Sequence, residues 1–522
     1  MLIDSGSELY IYAAINSPDD VDIWADEGIF IDAPITAVDD IEIGTCGSIT
    51  TTSKASLTAD GEVNLCARQS MTIGAAVNGG DDILIRSDDS HIMILAELIS
   101  GDRIEISADE HLTIYSLLVA GSDLDLWAGQ LLAISAEASL IAGANVKLQT
   151  RCGDIIIMGA IQSGNGQTTS PDVLIDSGGG LEIYAPITSL DDVEIWANGF
   201  VYIDAPVVAA DRIKMGTCGD FEANINAPLT TDGDIEIWAR KLVTIGADVT
   251  AGDDVWIKSE DSAVIIDGTI SAGDRIDVYA DEDLTVLAAV TAGGDLDLYA
   301  RYDLITATEG ATLTAGGDVK LETRYGTIEL WGAIQSGTGQ TCSPDVLIDS
   351  GSEVYIFAAI NSLDDVEIWA DDGVFIDASI TAVDKIEIET CGSLSTRANG
   401  VLSAANDIEL YAKGLLSIEA AVNAGDDVEM NSYSDVRIAG NVSAGDDVNV
   451  YAYADIEVAS AIEAVDRIYL SAGDILTLLP ESWLGGINGE KARMVFLRAG
   501  DTVTLDGSIN GEKIVVRKTG KR

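Results

Sequence analysis

Residues 20–35 read DVDIWADEGIFIDAPI. In the first half Val21, Ile23 and Ala25 alternate with Asp22 and Trp24. That is the period-two pattern of a strand with one apolar face. After Asp26 and Glu27 a second alternating run, GIFIDAPI, extends from Gly28 to Ile35. The text recurs: SLDDVEIWANGFVYIDAP begins at Ser189 and SLDDVEIWADDGVFIDAS at Ser362. No stretch sustains a 3.6-residue period, so the chain is expected to be all strand and turn.

Each short copy is anchored on the residue just before an apolar-x-apolar pattern. The first anchors are Asp20, Asp40, Glu62, Asp82, Arg103, Asp123, Asn145 and Asp172, mostly 20 to 22 residues apart, with one step of 27. Eight copies make a super-repeat, marked by LIDSG at Leu2, Leu174 and Leu347, spacings of 172 and 173 residues. The long step holds the insertions GNGQTTSP and GTGQTCSP. The organisation expected is therefore three solenoid super-repeats, residues 1–172, 173–345 and a partial 346–480, followed by a divergent basic segment, 481–522, acting as a cap or assembly element. A period near 20 residues means a solenoid, because one copy cannot bury its apolar face alone. Two strands per copy, stacked in parallel around a Val/Ile/Leu/Ala core, give an all-β parallel β-solenoid, expected as a right-handed β-helix.

Composition agrees. The 522 residues carry 88 Asp+Glu against 28 Lys+Arg, a formal net charge of −60, yet 47% are hydrophobic. A disordered acidic chain would be poor in apolar residues. Nucleic acid is excluded as a partner because so negative a field repels phosphates. No run of 18 apolar residues exists, so no membrane insertion is expected. The first residues, MLIDSGSELYIYAAINS, lack the basic and apolar regions of a signal peptide. Met1 aligns with Val173 and Val346, inside a strand, so the chain is expected to be a piece of a longer protein or to present an open edge.

AGGDLDLYARYDLITATEGATLTAGGDVKLETR (Ala292 to Arg324) and SAGDRIDVYADEDLTV (Ser271 to Val286) resemble the β-helix repeats of filamentous haemagglutinin-like exoproteins. The resemblance covers residues 1 to about 475 and is one of architecture; the secretion domain of that family is absent from this sequence. It implies secretion and a role as the shaft of an adhesin, hence an extracellular or cell-surface location.

Three outward features carry the functional reading. Stacked in register, the anchors form a carboxylate ladder about one strand spacing, roughly 4.8 Å, apart. Like charges that close repel by about 1 kcal/mol per neighbour in water. Arg103, Arg212, Arg275, Lys385 and Arg467 occupy the same column and are expected to bridge carboxylates above and below. The aspartates are read in two ways: as caps on backbone N–H groups, or as oxygen-rich ligands for Ca2+. Asp81, Asp82, Asp253, Asp254, Asp426, Asp427, Asp446 and Asp447 are the candidate cation ligands. No cofactor is required on this reading; Ca2+ is the candidate ion.

Aromatic residues four positions after the anchor form the second feature: Trp24, Trp127, Trp196, Trp238, Tyr279, Tyr299, Trp369, Tyr411 and Tyr451. Exposed rings in a row mark an interface, for another copy or for surface glycans. The third is the C-terminal segment, where residues 490–522 hold eight basic against four acidic residues. Lys513, Arg517, Lys518, Lys521 and Arg522 are thus expected, with Trp24, Trp127, Trp196, Trp238 and Trp369, to serve self-association, including head-to-tail contacts.

No catalytic residue is singled out. His91 and His111 stand in adjacent copies, but Ala263 and Asp283 replace them in the next super-repeat. Arg212-Ile213-Lys214 matches the RIK of sugar-cleaving β-helices, without their GHG. Carboxylate pairs are everywhere, which is why none marks a catalytic cleft. Six cysteines make no disulfide framework and are expected as free thiols. The function expected is a non-catalytic structural subunit of an extracellular filament, sheath or surface layer. The alternatives are an adhesin shaft and a carbohydrate-active β-helix.

Overall fold

Alternation decides the strands, and two kinds of interruption decide the corners. In residues 20–40 Val21, Ile23 and Ala25 turn inward and are at most 2% exposed, while Trp24 faces out. The charged pair Asp26-Glu27 ends this strand, Val21–Ala25, and the next runs from Gly28 to Ile31. Asp32-Ala33-Pro34 breaks it, since proline cannot donate to a ladder, and a third strand spans Ile35–Ala37. Each copy thus has three strands and three corners where the alternation suggested two strands. The GIFIDAPI run divides at its proline, and Ala33, 5% exposed, fills the inside of that corner.

The computed structural model describes residues 1–164, 172–337 and 345–519. It comprises two units, Met1–Glu260 and Asp261–Arg522. Each is a parallel β-solenoid whose coils contribute one strand to each of three parallel sheets, here called the first, second and third faces. In the first unit the first-face register runs Val21↔Ile41, Ile41↔Val63, Val63↔Ile83, Ile83↔Ile104. In the second it runs Ile276↔Leu296, Leu296↔Val319, Val319↔Val346, Val346↔Val366. Aliphatic residues therefore stack on aliphatic residues, and a one-residue slip would turn every one of them to solvent. Among the described residues one aromatic enters this core: Phe221, 1% exposed, pairs with Val201 and Val243. The next inward residue shrinks to Ala223 between Ile203 and Ile245, which keeps the local core volume.

The super-repeat boundaries fall inside sheets. Strand Val146–Thr150 pairs with Val173–Ser177, and Val319–Thr323 with Val346–Ser350. The inserted residues 165–171 and 338–344 lie outside the described residues. Beyond residue 480 the divergent segment keeps the same plan: Trp483–Gly485, Ala492–Ala499, Thr502–Leu505, Ser508–Ile509 and Gly511–Lys518 continue the three faces. Helix among the described residues is confined to one 3-10 turn, Ile487–Gly489, and none is long and apolar enough to cross a membrane.

Candidate interaction surface: the outward columns

The anchor column lies at the corner leading into the first face, and its carboxylates cap the next coil. Asp20 Oδ1 accepts the Asp40 N–H at 3.2 Å, and Asp40 Oδ1 the Glu62 N–H at 2.7 Å. The pattern continues from Asp82 to Arg103 (3.1 Å), Asp365 to Lys385 (2.8 Å), Asp407 to Asp427 (3.0 Å) and Asp427 to Asp447 (2.9 Å). Asn145 serves equally, accepting the Asp172 N–H at 3.0 Å. The requirement is thus an acceptor of one length, not a charge. These caps join neighbouring coils rather than closing the residue's own turn. A matching column precedes the second face: Asp283 accepts from Asp303, Asp303 from Thr327, Asp435 from Asp455 and Asp455 from Ile475, at 2.8 to 3.1 Å. Its signal in the sequence is the Asp before LTV, VRI and IEV.

Against expectation, the basic members of the column do not bridge the anchors above and below. Arg212 and Arg467 reach the preceding anchors, Asp192 at 3.1 Å and Asp447 at 2.7 Å. Arg103, Arg275 and Lys385 instead reach carboxylates two residues past the anchors, on their own and the following coil. Arg103 pairs with Glu105 and Asp125 (2.8 and 2.6 Å), and Lys385 with Glu387 and Glu409 (2.7 and 3.0 Å). Arg212 adds a carboxylate of the same kind, Glu194, at 2.7 Å. Lys214 of the RIK triplet pairs with Glu236 at 2.9 Å.

Corners bring some carboxylates together. Asp426, Asp427 and Asp446 place oxygens within 4.8 Å of one another, as do Asp446, Asp447 and Asp466. Of the candidate cation ligands these two triads collect Asp426, Asp427, Asp446 and Asp447; Asp81, Asp82, Asp253 and Asp254 belong to no such triad among the described residues. Three triads were not anticipated: Asp19-Asp20-Asp39, Asp172-Asp191-Asp192 and Asp345-Asp364-Asp365. Asp345 is pushed up to about 6, first by burial and then by the charges of Asp318, Asp365 and Asp364. Asp172, Asp192, Asp365, Asp427 and Asp447 move upward too, burial leading in each case.

The rings four residues past the anchor do face outward, but several lie along the sheet instead of standing free. Trp24 occupies the space over Gly44, and Trp196 that over Gly216, the glycines of the two GTCG motifs. Trp127 is half-buried beneath the guanidinium of Arg151, 5.8 Å away. Trp238 is half-buried and pairs in register with Gly216 and Lys258; Trp369, facing Glu389, is 50% exposed. A second aromatic group, on the second face, escaped notice. Tyr10, Tyr12 and Phe30 cluster in the first super-repeat, and Tyr355, Phe357 and Phe375 repeat them in the third, with Trp331 stacked on Phe357 at 4.2 Å. Tyr184 donates to Glu182 at 2.7 Å, which with burial pushes its phenol up to about 12.

Of the basic residues proposed for assembly, Lys513, Arg517 and Lys518 lie on Gly511–Lys518, which is largely exposed. Arg517 covers the Phe496 ring at 5.4 Å, and Lys518 approaches Asp501 at 3.7 Å. Lys521 and Arg522 lie outside the described residues. His91 and His111 stand one coil apart, beside the paired Ile92 and Leu112; His91 Nδ1 and Ser90 Oγ share a hydrogen bond of 3.2 Å. Cys46, Cys66, Cys152, Cys218 and Cys391 are free thiols, and Cys342 lies outside the described residues. Cys66 pairs in register with Gly44 and not with Cys46, which sets the two thiols apart.

Comparison of the chain with protein-family models, with curated proteins and with solved structures found no match.

Proposed function

We propose that this β-solenoid is a non-catalytic structural protein that self-associates in an extracellular filament, sheath or surface layer. One observation carries the reading: the outward polar groups repeat. The same Asp-to-backbone cap and the same outward aromatic position recur along the coils, whereas catalysis needs a singular arrangement of groups. The exposed basic strand Gly511–Lys518 offers a counterpart to the carboxylate columns of a second copy. A contact between two different surfaces propagates instead of closing. Divalent cations, Ca2+ first, would assist by bridging carboxylate triads such as Asp426-Asp427-Asp446. The resemblance to haemagglutinin-like repeats supports a secreted shaft as the second reading.

Light scattering and electron microscopy of the purified chain test this proposal over a salt series, with and without Ca2+. Regular assemblies are expected, and a Lys513→Glu, Arg517→Glu, Lys518→Glu variant should lose them. Monodisperse single chains under every condition would overturn it.

A further inference from the structure

The repetition also breaks towards the end of the second unit. Within the second unit the column Tyr411, Asn431, Tyr451, Ser471, Arg498 follows the first-face register coil by coil. At the corner just beyond it, Tyr433 and Tyr453 occupy successive coils, and the following coils carry Gly473 and Gly500 in the same place. Two large rings followed by two residues with no side chain leave a groove, and its volume is about 1200 Å³. Asn431, Asp474 and Arg498 line it together with the tyrosines. Tyr433 is 62% exposed and Tyr453 77%, far more than the tryptophans that lie along the sheet.

We infer that this groove binds an extended neutral oligosaccharide. Tyrosine rings supply flat apolar faces for the C–H faces of pyranose rings at little conformational cost. Asn431, Asp474 and Arg498 supply the amide, carboxylate and guanidinium that hydroxyl groups pair with. The spacing suits a chain of sugars: backbone positions on successive coils are about 4.8 Å apart and those two coils apart about twice that, near the advance of one and two sugars along an extended polysaccharide. The Tyr411 and Tyr433 rings meet edge to face with centroids 5.7 Å apart. The volume exceeds the several hundred Å³ typical of a small-molecule pocket, so an oligomer fits better than a monosaccharide. Charge selects against the alternatives. Asp474 and Arg498 balance each other in the groove, while the chain's net charge of −60 opposes polyanions. The inference goes beyond the structural role and stands whether or not the chain assembles.

The test is calorimetric titration of the full chain with cellohexaose, maltohexaose and mannohexaose, and with hexagalacturonate as the anionic arm. At least one neutral hexasaccharide should bind. A Tyr433→Ala, Tyr453→Ala variant should weaken that binding at least tenfold, while Tyr355→Ala, on the second face, leaves it unchanged. Both altered tyrosines of the double variant are exposed, and unchanged circular dichroism and melting would show that its fold is intact. No binding by any neutral hexasaccharide, equal affinity in the double variant, or preference for hexagalacturonate would each overturn the inference.

Discussion

A β-carbon built on Gly44 would stand 2.1 Å from Cζ3 of Trp24, so the indole of one coil fills the space over the glycine of the next. The relationship recurs at Trp196 and Gly216, at 2.2 Å, and lapses at Trp369, which faces Glu389. Gly44→Ala must therefore displace the ring. The expected cost is about 1 to 3 kcal/mol, as for other insertions into packed surfaces. Combining it with Trp24→Ala should remove most of the added penalty, because nothing is left to displace. Hydrogen exchange at the strands Val21–Ala25 and Ile41–Thr45 would measure both.

Asp345 supplies the pH dependence. Its pKa in the folded chain, about 6, lies above the ordinary carboxyl value of 3.8. Folding then favours the protonated form, so stability rises as pH falls from about 7 through 6 and levels off below about 4. Asp345→Asn keeps an acceptor for the Asp365 N–H, as Asn145 does for Asp172, and removes the charge. It should stabilise the fold at pH 7 by about 1 kcal/mol, allowing for solvent screening. The gain should vanish near pH 4. Melting curves of the two proteins between pH 4 and pH 8 check the sign.

Lys385 sits between Glu387 and Glu409 and is held well above its ordinary pKa by those two carboxylates against the opposing effect of burial. Lys385→Met leaves the acidic residues facing each other. A loss of about 1 to 3 kcal/mol is expected at low salt, shrinking as salt screens the repulsion. The measurement is the difference in melting between variant and parent from low to high NaCl; a difference independent of salt would contradict the assignment.

Phe221 is the largest fully buried side chain among the described residues. Phe221→Ala opens a cavity and should cost about 3 to 5 kcal/mol. Because each coil touches only its neighbours, the damage should stay local. Exchange should quicken in Val201–Ile203 and Val243–Ile245 but not in Leu9–Ile11, in the same unit. Uniform quickening throughout the unit would argue against this coil-by-coil stability.

Much of the fold was legible because alternation is a local signal. Val21, Ile23 and Ala25 announce their own inward direction, and equal spacing stacks them on Ile41, Ile43 and Thr45. The third strand was less legible: Ile35–Ala37 is too short to show a period of its own, and only the corner at Pro34 separates it from its neighbour. At the surface, the aromatic column was found, but the tyrosine groove was not. Tyr433 and Tyr453 lie at corners, outside the alternation that was followed, and the adjoining Gly473 and Gly500 register as a gap only when coils are stacked.

The sequence alone thus determined the coil period, the all-strand character and which residues face the core, since each depends on neighbours along the chain. The tertiary structure alone decided which groups meet across coils. Asp81-Asp82 and Asp426-Asp427 are the same dipeptide, each preceded by glycine, yet only the second joins a triad, with Asp446. The difference arises because contact across a corner depends on the length and direction of the turn in the adjacent coil, which no single copy of the repeat contains.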